Sequence, residues 1–132
     1  ATASFRVTGQ VVGEWDYQEW ESGLAVLRTH TPVGGLATTT ILRAPVSGSR
    51  GRLLTTFCIV YQNNQDTTLE CAQVNFIDSF TAGVGDDVKY EFLLLNFSVS
   101  TQTFHHNRVV GTLDHIVREV GKSWISATEV RQ

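Results

Sequence analysis

From residue 4 to about residue 100 the chain changes character at every second position. Phe5, Val7 and Gly9 alternate with Arg6, Thr8 and Gln10. Alternation of this kind marks a β-strand with one buried face and one wet face. The spacing predicts strands over residues 4–12, 15–20, 24–30, 38–44, 52–62, 67–80 and 88–100. Thr31, Pro32, Gly34 and Gly35 mark one turn, the Gly/Ser-rich run 45–51 a loop, and residues 63–66 and 81–87 two further turns.

The period then shifts. Val109, Val110, Leu113, Ile116, Val117 and Val120 fall on one helical face. Asn107 suits a helix start and Gly121 a stop, and residues 123–130, with Trp124 and Ile125, suit a second short helix. The expected fold class is α+β. It is a single domain of residues 1–132 with strands over about 4–104 and one or two C-terminal helices over about 107–130. Six strands at about 4.8 Å spacing span roughly 29 Å, whereas a helix is only about 10–12 Å across. One helix cannot cover that sheet, so closure into a barrel or cover from a partner copy is expected.

Composition narrows the function. At 132 residues the chain is long enough for a core of its own. No apolar run is long enough to span a bilayer, and no charged and apolar leader opens the chain, so no secretion signal is expected. Ala1 reads as the residue left after removal of an initiator Met. Ten Lys and Arg against thirteen Asp and Glu leave a net charge of −3, which argues against a general nucleic-acid binder. Cys58 and Cys71 match no zinc or redox spacing and read as thiols in a reducing compartment.

No catalytic motif stands out. His30, His105, His106 and His115 read as structural, because no carboxylates converge on them in the sequence. Gly85-Asp86-Asp87 reads as a turn, and Asn96-Phe97-Ser98 as a chance sequon. Gly13-Glu14-Trp15 is a weak likeness to the opening of lipocalin-like barrels. The chain is therefore expected not to be an enzyme and to carry no metal or cofactor. The one concentration of cations and hydroxyls is Arg43, Ser47, Ser49, Arg50 and Arg52 around the Gly/Ser loop, groups that suit phosphate contacts.

Residues 38–61, with an arginine before the turn and another after it, and residues 88–104 running into 107–120, resemble the coat proteins of single-stranded RNA bacteriophages. The likeness is one of pattern and order over a little more than half of the chain. It implies a capsid protein that forms homodimers, each copy's helices packing on its partner's sheet. The dimers would assemble in the host cytoplasm into an icosahedral virion around single-stranded RNA. It further implies an RNA-binding face of Thr39, Arg43, Arg52, Thr56 and Tyr90, which would hold an RNA hairpin as packaging signal and translational repressor. Val109, Val110, Leu113, Ile116, Val117 and Val120 would form the dimer interface. No membrane and no small-molecule substrate are implied.

Two other readings compete. Residues 68–104 also look like the final strands of phage tail-tube and secretion-tube subunits. That family sets its helix between strands, whereas here the helix is expected at the C-terminus. The third reading is a closed β-barrel that binds a small apolar ligand or catalyses a cyclisation. RNA-filled shells, stacked rings or a small ligand-stabilised barrel would tell the three apart.

Overall fold

The structure is a computed structural model that describes residues 1–15, 22–57, 69–97, 103–108 and 120–130. Its strands are β1 (Thr2–Trp15), β2 (Ser22–Thr31), β3 (Thr38–Leu42), β4 (Thr55–Thr56), β5 (Glu70–Thr81), β6 (Asp87–Asn96), β7 (Phe104–His106) and β8 (Trp124–Glu129). All pairings are antiparallel and fall into two sheets. In the first, β5 covers one edge of β1 from Thr2↔Thr81 to Gly13↔Glu70. The other edge of β1 is shared by β8, over Phe5–Gln10, and β7, over Gly13–Trp15. The second sheet repeats the plan: β6 runs along one edge of β2, and β3 and β4 divide the other.

Register sorts the side chains into faces, because successive residues of a strand point to opposite sides. Val7, Val11 and Trp15 of β1, with Ala72 and Val74 of β5, face Leu24 and Val26 of β2 and Phe57, and all are buried. The Trp15 ring lies 6.2 Å from Phe57 and 5.0 Å from Phe104, centroid to centroid. The outward side of the first sheet is polar: Arg6 donates to Asn75 at 3.2 Å and Gln73 to Gln10 at 3.5 Å. The described residues thus form a β-sandwich.

This corrects the α+β expectation. Among the described residues there is no helix. Residues 124–129, expected as a second helix, are β8 on the edge of β1. Their helical signal rested on two apolar residues, while the free N–H and C=O groups of a 14-residue central strand need partners. Among the described residues Asn107 caps no helix. It turns the chain at φ 62°, its carbonyl accepts the Gly121 amide at 2.8 Å, and its side chain accepts the Ser123 amide at 2.8 Å. Val120 is exposed and bridges to Arg108, so it does not belong to an apolar helical stripe. Val109, Val110, Leu113, Ile116 and Val117 lie outside the described residues.

Two further points differ from expectation. Of segment 52–62, expected as one strand, the described part forms only the two-residue β4, and β3 and β4 both pair with β2, end to end along one edge. The two sheets also cover each other, so the uncovered sheet that called for a partner copy does not arise. Period-two alternation marks a buried face without saying whether a helix or another sheet buries it.

Candidate assembly surface

The five residues of the expected RNA face are not brought together. Thr39, opposite Thr29, and Thr56, opposite Gly23, are on the outward side of the second sheet. Arg43 and Arg52 flank the 43–54 loop, where the Ala44 amide donates to the Leu53 carbonyl at 3.1 Å. There the Arg52 Nε donates to the Ala44 carbonyl at 2.7 Å. Tyr90, opposite Arg28, points between the sheets, and its hydroxyl donates to Asp78 Oδ2 at 2.9 Å.

Tyr90 belongs to a cross-sheet polar cluster at one end of the sandwich. Arg28 Nη1 donates to both Asp78 oxygens, at 2.9 and 2.8 Å, and Nη2 reaches Thr40 Oγ1 at 3.2 Å. The guanidinium also sits 3.9 Å over the Phe80 ring, which adds cation–π attraction. Burial, and then the Asp78 carboxylate, push the Tyr90 hydroxyl well above its ordinary value, so it stays a donor.

Beside this cluster, Asp86 fastens two loops to each other. Its oxygens accept from the Gly83 amide at 2.7 Å and the Val33 amide at 3.0 Å, and Oδ2 meets His30 Nε2 at 2.7 Å. The Gly83 amide first, then His30 and then Val33, hold its carboxyl down to about 2. A lowered acid pKa means the tether is complete above the ordinary aspartate value of 3.8 and is lost as pH falls towards about 2. Gly34 at φ 71° and Gly85 at φ 88° take left-handed turns that side chains disfavour. The result is a braced tip on which Val33, Leu36 and Val84 are 72%, 88% and 104% exposed. Apolar residues this exposed, presented together from two tethered loops, suit a contact with another protein surface.

The outward strand edges are a second resource. Among the described residues, β3, β5 and β6 each pair on one side only. Their outer backbone groups are templates for another chain. Ile41 on β3 and Ile77 on β5 are exposed beside those edges.

The opposite end of the sandwich holds a different feature. Glu14 and Glu70 are both buried, Glu70 Oε2 and the Trp15 indole N–H find no hydrogen-bond partner among the described residues, and Glu14 lies opposite His105 in the register. Burial, and then the neighbouring Glu14 charge, push the Glu70 carboxyl up to about 7. A raised acid pKa favours the neutral form in the folded state, so its stabilisation is full below 4.5 and fades as pH rises through about 7. Glu70→Gln is expected to match the parent at pH 5 and to be more stable by about 1–2 kcal/mol at pH 8, discounted for solvent screening. Melting temperature against pH measures this, and an unchanged difference between pH 5 and pH 8 would rule it out.

Sequence reasoning overlooked Arg28, Asp78 and Asp86. A signal for the first two was present. Arg28 shares the phase of Leu24 and Val26, and Asp78 that of Ala72 and Val74, so each is a charge on a buried face. Opposite charges in buried phases of two strands imply a cross-sheet pair. Asp86 carried no comparable signal, because its partners come from two loops that only the fold brings together. Cys58 lies outside the described residues, and Cys71 is exposed.

Among the described residues no group of His, Cys, Asp and Glu has the arrangement to hold a metal ion. No helix among them is long and apolar enough to cross a membrane. Comparison of the chain with protein-family models, with curated proteins and with solved structures found no match.

Proposed function

We propose that this chain is a structural subunit that assembles into rings and stacked cylinders, as phage tail-tube and secretion-tube subunits do. The observation that carries the reading is the C-terminal strand. The objection to a tube subunit was a C-terminal helix; of that stretch, residues 124–129 are β8, paired to β1, and residues 109–119 lie outside the described residues. The described body is a two-sheet sandwich in which, among the described residues, β3, β5 and β6 each keep one edge for lateral pairing. The Asp86-braced tip, with Val33, Leu36 and Val84, supplies an apolar end for stacking. The inter-strand helix of that family has no counterpart among the described residues.

The coat reading has less to stand on. Its dimer drew on C-terminal helices laid over a partner's sheet, and its RNA face drew on Tyr90, whose hydroxyl is committed to Asp78. Electron microscopy and sedimentation of the purified chain, with an absorbance ratio for nucleic acid, test the proposal. Rings and short cylinders free of RNA are expected. Monodisperse monomers, or spherical shells filled with RNA, would overturn it.

Leu36→Glu and Val84→Glu extend the test. Both side chains are exposed, so the fold should lose no more than about 0.5 kcal/mol. Repeated charge around a ring's end should raise the concentration needed for stacking at least roughly tenfold, equal to about 1.4 kcal/mol. Cylinders unaffected by either change would remove this tip from the contact.

A further inference from the structure

The inward side of β1 reads Phe5, Val7, Gly9, Val11, Gly13, Trp15, so two of its six positions carry no side chain. The sheet edge also parts there. Between β8 and β7 the Val12 amide is taken by Ser123 Oγ at 3.0 Å, and its carbonyl by the Asn107 amide at 2.8 Å, rather than by a third strand. A Cβ at Gly9 or Gly13 would meet the Phe92 or Phe104 ring, so those rings close on β1 there, and at the parting of β8 and β7 an apolar cleft of about 470 Å³ opens between the sheets. Val11, Phe104 and Ile125 form one wall, Phe92 and Leu94 the other, and His106 stands at the rim. The volume falls within the range of small-molecule sites, roughly 300–1,000 Å³.

The geometry points to a binding site for a single-chain anionic amphiphile, a medium-chain fatty carboxylate, with its chain between the sheets and its head at His106. The walls offer the chain apolar contact on two sides. His106 is exposed, and no hydrogen bond or ion pair to a described residue occupies its imidazole. The described stretches around the cleft mouth, residues 103–108 and 120–130, carry His105, His106, Arg108 and Lys122 against one acid, Glu129, at the far end of β8, and Glu14, opposite His105 in the register, is buried. That charge selects an anionic head over a cationic one. The site lies within one subunit and does not depend on assembly.

Titration calorimetry tests the inference with dodecanoate, decanoate, dodecanol and dodecyltrimethylammonium below their micelle concentrations. Saturable binding of one dodecanoate per chain is expected. Each added methylene should tighten binding roughly fourfold, so dodecanoate should exceed decanoate by about 16-fold. His106→Gln should weaken dodecanoate severalfold and leave dodecanol unchanged. Leu94→Glu, at a half-exposed wall position, should abolish dodecanoate binding, with a melting curve to verify the fold. Absence of saturable binding overturns the site. So does equal affinity for the cationic amphiphile, or full binding by a folded Leu94→Glu chain.

Discussion

Asp78→Ala is expected to destabilise the fold by about 3–5 kcal/mol, the largest effect of any single side chain described. Asp78 and Arg28 retain only 7% and 13% of their side-chain exposure, and Asp78 accepts from Arg28 and from the Tyr90 hydroxyl. Removing the carboxylate strands a guanidinium and a phenol between two sheets. Breaking a buried pair from one side costs about this much, because the remaining charge keeps its desolvation penalty. Thr40 and the Phe80 ring offset only part of it. For a chain of this length the loss corresponds to a drop of roughly 10 °C or more in melting temperature. The triple change Arg28→Met, Asp78→Leu and Tyr90→Phe should recover most of the stability, since it leaves no buried group unpaired. Urea denaturation of both variants decides the matter. A loss below about 1 kcal/mol for Asp78→Ala would mean that the pair is not buried as described.

Gly9→Ala is expected to follow, with a loss of about 1–3 kcal/mol from overpacking. A Cβ at Gly9 would lie 2.8 Å from Phe92 Cζ and 2.9 Å from Ile125 Cα, and would press on the Trp124 carbonyl oxygen. The ring can tilt away, but the backbone of β8 cannot yield without giving up its pairing to β1. Gly9→Ala with Phe92→Leu should therefore recover only part of the loss. The measurement also bears on the strand assignment of residues 124–129. A Gly9→Ala chain as stable as the parent would argue that β8 does not lie against β1.

Much of the sandwich was legible because alternation survives folding. The first five residues of the buried phase in β5, Glu70, Ala72, Val74, Phe76 and Asp78, are the ones that turn inward. The C-terminal segment was misread for a physical reason. In residues 123–130 Trp124 and Ile125 are adjacent, so neither period is favoured, and the helical pattern just upstream tipped the reading. What decides that segment is the free edge of β1, more than a hundred residues away in the chain.

The candidate surfaces divide along the same line. The exposed Val33, Leu36 and Val84 are visible as apolar residues in Gly-marked turns. That they form one tip depends on Asp86 reaching across to Val33 and His30. Tyr90 shows the converse, because a tyrosine on an alternating strand suits a wet face as well as a buried one. Only the opposing Asp78 shows that it turns inward.

By itself, the order of residues determined that most of the described residues are strand, where the turns after β2, β3 and β5 fall, and which side chains of each strand share a face. Local steric preference and two-residue periodicity act within a few residues, so they are written in the sequence. The tertiary structure alone decided that a second sheet rather than helices covers the first, that β7 and β8 share one edge of β1, and that a cleft opens between them. Those outcomes depend on which distant backbone edges and buried charges find partners, and pairing across a hundred residues leaves no periodic trace.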